Sequence, residues 1–177
     1  MARRRYHKRY YRKKGRWSAN IKSIVNNTIT ATPGSFYADL TLCENPVQLD
    51  STVSQQYTCK NVELSYEIET ASNIALIESL TAYIMFVPQG FLITETLPNT
   101  HPEWIMAYRF LGSPNSEIAA NNYSQNPGRL PTKIKTRLSR RLQTGDKIIL
   151  IITGSNEATQ DITLNINGLL RWWTKAN

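Results

Sequence analysis

Apolar residues recur at every second position in several stretches of this chain, and no stretch follows the 3.6-residue period of a helix. The clearest alternation runs through residues 61–69, where the apolar and polar sets are Val62, Leu64, Tyr66 and Ile68 against Glu63, Ser65, Glu67 and Glu69. This pattern predicts a β-strand with one face in a core and the other toward solvent or a neighbouring subunit. Three carboxylates on such an outer face are more typical of a solvated surface than of a catalytic pair.

The same pattern, or a short apolar run between turn signals, predicts the remaining strands. They are expected at residues 36–42, 74–87, 104–111, 133–142, 147–153 and 161–167. Residues 80–87 are apolar on both alternating sets, so this segment is predicted to be a central strand with both faces covered. Asn73 marks a turn, and residues 113–131 are predicted to form a long loop. Seven or so strands without a helical period predict an all-β sandwich.

Positive charge is concentrated at the amino terminus. Ten basic residues and no acid lie within residues 1–38, whereas residues 39–177 carry eleven bases against 13 acids. The two parts have formal charges of +10 and −2, which together give the net +8. Like charges at this density oppose folding, so we predict a disordered arm at residues 1–20. A connector or edge strand is expected at residues 21–34, and a single folded domain at residues 35–177.

Aromatic rings lie between the cations of the arm, a combination that suits single-stranded nucleic acid because cations neutralise phosphates and rings stack on unpaired bases. The predicted nucleic-acid-binding residues are Arg3, Arg4, Arg5, Tyr6, Lys8, Arg9, Tyr10, Tyr11, Arg12, Lys13, Lys14, Arg16 and Trp17. A basic amino terminus also fits a solubility tail, a nuclear-import signal, a transit peptide or a patch for anionic lipid. The arm lacks the Ser-rich, amphipathic character of a transit peptide and the apolar stretch of a secretory signal.

A second basic patch is predicted in the segment 133–142. Its alternation places four cations on one face, namely Lys133, Lys135, Arg137 and Arg141. The opposite, inward face is expected to hold Ile134, Thr136, Leu138 and Leu142, while Arg140 breaks the pattern. Such a face suits either phosphate contact or acids on a neighbouring subunit, and the sequence leaves both possibilities open.

Features of enzymes, metal sites and membrane spans are scarce. Cys43 and Cys59 are too few for a disulfide framework and are expected to be reduced, packed thiols. With His7 in the arm and His101 in a loop, we expect no metal site, no cofactor and no catalytic site. The longest aliphatic run, residues 148–152, is far shorter than the roughly 20 residues that cross a bilayer, so no membrane partner is expected.

Three segments, in this order and spacing behind a basic arm, resemble the capsid proteins of circular, Rep-encoding single-stranded DNA viruses, the circovirus-like group. The segments are Met85-Phe86-Val87-Pro88-Gln89-Gly90, His101-Pro102-Glu103-Trp104-Ile105-Met106-Ala107-Tyr108-Arg109-Phe110-Leu111-Gly112 and Leu142-Gln143-Thr144-Gly145-Asp146-Lys147-Ile148. The resemblance implies a single jelly roll of eight antiparallel strands in two four-stranded sheets. It also implies a T=1 icosahedral shell of sixty copies, with an inward arm that packages the genome and acts as a nuclear-import signal. The chain is shorter than is typical of the group, and its arm mixes Lys and Tyr among the Arg.

The expected function is therefore that of a viral capsid protein, found in the virion and, during assembly, in the host nucleus. Its expected partners are other copies of itself, a circular single-stranded DNA genome, host RNA when it is expressed alone, and host nuclear-import and attachment receptors. One alternative is the capsid of a small RNA or satellite virus. Another is a cellular RNA-binding β-domain with a basic extension, such as a ribosomal protein, which predicts a basic or aromatic groove on the body. Trp172 and Trp173 are expected either in the core or between subunits.

Overall fold

The computed structural model describes residues 17–45, 56–70, 77–112 and 132–176. The strands are β1 (Ser18–Ala31), β2 (Gly34–Glu44), β3 (Tyr57–Thr70), β4 (Ile77–Val87), β5 (Ile105–Gly112), β6 (Thr132–Lys135), β7 (Ser139–Leu142), β8 (Lys147–Asn156) and β9 (Ile162–Ala176). A short helix α1 (Leu97–Thr100) and a 3-10 turn (Pro102–Trp104) lie between β4 and β5. No helix in the described ranges has the length and apolar character needed to cross a membrane.

These strands form two antiparallel sheets. One has the order β2-β8-β4-β5, and the other has the order β1-β9-β3 with both β6 and β7 on the free side of β3. Because β6 pairs with residues 63–66 and β7 with residues 57–60 of β3, they are two halves of one interrupted strand. Counted in this way, the sandwich has eight strands in two four-stranded sheets, and its chain crosses between the sheets at each step except from β4 to β5, as in a jelly roll. The predicted fold is confirmed.

The main core lies between the two sheets. The alternation in β3 is confirmed, since Val62, Leu64, Tyr66 and Ile68 are all buried there. In β2 the two ends of the predicted inward face, Phe36 and Leu42, are buried, and the residues between them pack against the core in part. Apolar burial of this extent across both sheets is the main stabilising contribution to the fold.

With β6 and β7 counted separately, β2-β8-β4-β5 is the four-stranded sheet and the other is the five-stranded sheet. A second, smaller cluster covers the outer side of the four-stranded sheet. It contains Met85, Val87, Ile149, Ile151 and Leu97. The first four belong to β4 and β8, and Leu97 comes from the segment 88–104, which folds over them. The prediction that β4 is a central strand covered on both faces is therefore confirmed, because it lies between β8 and β5 and contributes to both clusters.

Two turns that carry part of the family resemblance contact each other. The buried carboxylate of Asp146 accepts hydrogen bonds from the backbone N–H of Gln89 (3.0 Å) and of Gln143 (2.8 Å). Gly145 has a φ of +85°, and a Cβ at this position would lie 2.6 Å from the Gln89 side chain. The glycine is therefore needed both for the left-handed backbone and for the close packing of the two turns.

The structure differs from the sequence-based expectations at residues 18–20 and at Leu138. Residues 18–20, assigned to the arm, belong to β1 because they pair with residues 172–174 of β9. Leu138, expected to point inward, is 49 % exposed because it lies in the 136–138 interruption, where its N–H bonds to the Thr136 hydroxyl (3.0 Å). The expected arm before residue 17, the turn at Asn73 and the loop at 113–131 lie outside the described residues.

Candidate nucleic-acid interface

One side of the five-stranded sheet faces away from the core, and we call it the open face. Directly paired residues of antiparallel strands project to the same side of the sheet. Leu64 and Leu170 form such a pair and are both fully buried. The flanking pairs, Glu63 with Arg171 and Ser65 with Leu169, therefore project to the opposite side, the open face.

The same register places basic residues from four strands on the open face. Lys135 lies opposite Glu63 and Lys133 opposite Ser65, while Thr58 lies between Arg141 and Lys175. Lys60 lies opposite Trp173. The described basic side chains of the face are Lys60, Lys133, Lys135, Arg141, Arg171 and Lys175. Among the described acidic side chains, only Glu63 and Glu67 lie on this face, so it is strongly cationic.

Only one of these cations is neutralised within the face. Lys135 Nζ lies 3.1 Å from the Glu63 carboxylate, and both side chains are partly exposed. A pair of this kind contributes little to stability because water screens it. None of the other five bases forms an ion pair with a described acid. Their charge is available for a polyanion.

Aromatic rings lie at the end of the open face. The Lys60 ammonium lies 3.8 Å from the centroid of the Trp17 ring, and Trp17 is 39 % exposed. Trp173 lies directly opposite Lys60 on the adjacent strand. A cation over an indole ring is a stabilising contact that an unpaired base can replace by stacking on the same ring. Replacement would also release the ammonium toward a phosphate.

The basic arm joins the fold at this same end. Ser18, the first residue of β1, lies opposite Thr174, and Trp17 precedes it. The arm therefore leaves the sheet beside Lys60 and Lys175. Trp17 is the one predicted arm residue that is described, whereas Arg3, Arg4, Arg5, Tyr6, Lys8, Arg9, Tyr10, Tyr11, Arg12, Lys13, Lys14 and Arg16 lie outside the described residues.

The predicted second patch is rearranged in the structure. Lys133, Lys135 and Arg141 share the open face, but Arg137 lies in the interruption between β6 and β7 and is not part of a paired strand. The single strand with four aligned cations was therefore a wrong expectation. The bulge of β3 between Lys60 and Glu63 shifts the register here. Arg140 packs toward the core side, above the Phe86 ring.

Sequence reasoning missed Lys60, Arg171 and Lys175. They belong to strands far apart in the chain, and only the sheet register brings them together. The sequence did contain a signal for Arg171 and Lys175. The buried residues of β9 fall at even positions up to Leu170, so odd positions such as Arg171 and Lys175 project outward. A search for basic residues at these positions would have found part of the face.

Most of the described acidic residues of the body lie away from the open face. Asp39 is exposed on the outer side of the four-stranded sheet, Glu95 and Glu103 lie in the segment above that sheet, and Glu157 and Asp161 flank the β8–β9 turn. Among the described residues, the body therefore combines one basic face with acidic residues mainly on its other surfaces. A net negative charge of the body does not exclude a nucleic-acid interface.

His101 occupies a surface aromatic cluster. Its ring stacks on Trp104 at 3.8 Å between centroids, and its Nδ1 lies 3.0 Å from the Glu103 carboxylate. The pKa of Glu103 is lowered mainly by a hydrogen bond from the Glu103 backbone N–H to its carboxylate, and to a smaller extent by the contact with His101. Across the described residues, no group of three or more His, Cys, Asp or Glu side chains could hold a metal ion.

Comparison with known proteins adds similarities of fold alone. No family model matches the chain, and no curated protein matches it. A chain from the structure of maize chlorotic mottle virus is 8 % identical, with a TM-score of 0.43, over 89 % of this chain and 92 % of that one. A turnip yellow mosaic virus chain is 12 % identical (TM-score 0.41; 92 % and 94 % covered), and the capsid protein of BFDV, crystallised as a decamer, is 7 % identical (0.36; 92 % and 99 %).

Proposed function

We propose that this chain is a viral capsid protein that assembles into a closed shell and packages single-stranded nucleic acid against the open face. The observation that carries the proposal is the segregation of charge. Six basic side chains share one sheet face with the junction of the basic arm, and most of the described acids of the body lie on other surfaces. A shell whose open face points inward would present cations to the genome and acids to the outside.

Self-association is supported by apolar surface at the edge of the other sheet. Leu92, Tyr108 and Phe110 are 83 %, 70 % and 60 % exposed. The last two lie on β5, which is an edge strand of its sheet. An isolated domain would leave this surface and this strand edge in water, where they favour association. A second copy of the chain is the partner that a shell provides.

The finer features of the proposal rest on the resemblance in the sequence. They are a circular single-stranded DNA genome, a T=1 shell of sixty copies, and a nuclear-import function of the arm with assembly in the host nucleus. Sixty copies of residues 1–38, with ten charges each, would bring about 600 positive charges into the shell, a large share of the neutralisation that a genome of a few thousand phosphates needs. The open face would add to this charge. Phosphate contact and stacking serve RNA equally well, so the capsid of a small RNA virus is the nearest variant of the proposal.

A cellular RNA-binding β-domain is the second candidate. The open face favours this candidate, because such a domain would carry a basic surface on its folded part. Assembly separates the two candidates. Full-length protein should form uniform small spheres in negative-stain electron microscopy and elute as a large particle. The substitution Phe110→Glu should prevent this assembly without unfolding the domain, because the Phe110 side chain is exposed. A monomer at high concentration, with or without DNA, would exclude the shell.

Packaging is tested by removing residues 1–16, a cut that leaves β1 intact. The shortened protein should fold and assemble but lose most nuclease-protected nucleic acid, and the remainder should fall with rising salt. A second variant keeps the arm and replaces three bases of the open face, Lys133, Lys135 and Arg141, by Gln, and we expect it to lose less. Full packaging without the arm would refute its role, and a larger loss from the second variant would make the open face the main site.

A further inference from the structure

Cys43 and Cys59 meet across the interior of the sandwich. Cys43 belongs to β2 of one sheet and Cys59 to β3 of the other, and their Sγ atoms are 3.7 Å apart. Both are free thiols, with Cys59 fully buried and Cys43 8 % exposed. We infer that this pair is a redox site, at which oxidation forms an intramolecular disulfide that joins the two sheets covalently.

The geometry requires a small movement. A disulfide has an S–S length near 2.05 Å, so the sulfur atoms must approach each other by about 1.7 Å. Both residues are beside irregular backbone, because the register of β2 shifts between Thr41 and Cys43 and that of β3 shifts between Lys60 and Glu63. Strand segments next to such bulges adjust more easily than regular paired strands.

Hydrogen bonds hold the two strand ends together beside the thiols. The Tyr57 hydroxyl in β3 donates to the backbone carbonyl of Glu44 in β2. Burial raises the pKa of Tyr57, so this phenol keeps its proton and remains a donor. Asn45 Nδ2 donates to the carbonyl of Leu142, the β7 residue opposite Tyr57. These contacts link the ends of β2, β3 and β7, so the two sulfur atoms are kept near each other.

Hydrogen peroxide is an oxidant small enough for this site. Cys43, the more exposed of the two, gives up its thiol proton and its sulfur attacks one peroxide oxygen; an S–O bond forms, the O–O bond breaks, and the hydroxide that leaves takes up that proton to become water. The Cys59 sulfur then attacks the resulting sulfenic acid, the S–S bond forms, the S–O bond breaks and a second water leaves with the Cys59 proton. Two thiols and one peroxide thus give one disulfide and two waters. The hydrogen bond with Cys43, together with burial, raises the pKa of the Cys59 thiol, so it keeps its proton until that step.

The covalent bond should make unfolding harder. It would close the chain between residues 43 and 59 into a loop and tie β2 to β3, which lowers the entropy of the unfolded state. The inference does not depend on the proposed function. If the chain is a capsid protein, the bond would form after a particle leaves the reducing interior of a cell.

The test exposes full-length protein to hydrogen peroxide and follows intact mass, free thiols in denaturant and thermal unfolding. We expect the loss of two hydrogen atoms, simultaneous loss of both thiols, no covalent dimer on a non-reducing gel, and a Tm higher by about 5–10 °C that dithiothreitol reverses. Cys43→Ala and Cys59→Ala should each abolish the rise in Tm.

The wild-type protein decides the result even if these variants fold poorly. A non-reducing digest should contain one peptide pair that joins residues 43 and 59. The inference is overturned if both thiols remain after a treatment that oxidises them fully in urea. It is also overturned if peroxide only adds oxygen atoms, or if the disulfide joins two chains.

Discussion

The two outer sides of this sandwich are both formed by every second residue of their strands, but one side is covered by another segment and the other is exposed. On the four-stranded sheet, Met85, Val87, Ile149 and Ile151 project outward, and the segment 88–104 covers them with Leu97. On the five-stranded sheet, the outward residues are Lys and Arg among Thr, Asn, Ser and a few Glu and apolar side chains, and no described segment lies above them. We call the first side the covered face.

The comparison shows how one fold separates stability from binding. The covered face adds apolar burial to the main core, so its residues should matter for folding. The open face holds cations and rings that are not needed to fill space, so its residues should matter for a ligand. Substitutions on the two faces should therefore separate into two phenotypes.

The largest expected effect is on the covered face. Ile149→Ala should lower the free energy of unfolding by about 2–5 kcal/mol, because the side chain is fully buried and its removal leaves a cavity. Its matched control on the open face is Leu169→Ala, which should cost less than about 1 kcal/mol because Leu169 is 42 % exposed and its removal leaves no closed cavity. Urea unfolding measures both. Equal losses of unfolding free energy would show that Leu169 is covered in the folded protein, so that the open face is not open in solution.

The next effect is on the open face. Replacing Lys60, Lys133 and Arg171 by Gln should remove about three phosphate contacts. The salt slope, which is the steepness with which log affinity falls against log salt concentration, should then decrease by about 2, and the affinity for oligo-dT should fall about 100-fold at 0.1 M salt. Stability should change little. Fluorescence anisotropy with full-length protein measures the affinity, since the arm contributes equally before and after the change.

A single substitution at Lys147 is the matched control for a single substitution at Lys60. Lys147 carries the same charge but lies in β8 of the other sheet, near Glu44. Lys147→Gln should leave the salt slope unchanged, whereas Lys60→Gln should lower it by about 0.7. Equal effects from these two variants would mean that binding follows net charge, and the distinction between the faces would fail.

These faces also show what the sequence could predict. The period-two alternation was sufficient for the strands, the two-sided cover of β4 and the inward set of β3, because each depends on neighbouring residues. The open face depends on register between strands more than 30 residues apart, such as β3 with β9. The bulge in β3 and the break at residues 136–138 then moved Arg137 and Leu138 away from their expected places. The 3.7 Å contact of the two thiols likewise depends on how the sheets pack.

A smaller effect is expected from the ring beside Lys60. Trp17→Ala should weaken binding to oligo-dT about tenfold through loss of one stacking platform. Trp17→Phe should retain most of the affinity, and duplex DNA should bind both variants alike because its bases are not free to stack. An equal loss for duplex and single strand would mean that Trp17 only positions Lys60.

The smallest effect should have the opposite sign. Glu63→Gln removes an acid from the open face and releases Lys135 from its ion pair, so the affinity for oligo-dT should rise up to about fivefold and the salt slope by about 0.7. The stability cost should be under about 1 kcal/mol, since the pair is partly exposed. Glu67→Gln is the control, because Glu67 forms no ion pair with a described base. If Glu63→Gln instead weakens binding, the carboxylate holds Lys135 in the position that contacts phosphate, and the acid belongs to the interface rather than competing with it.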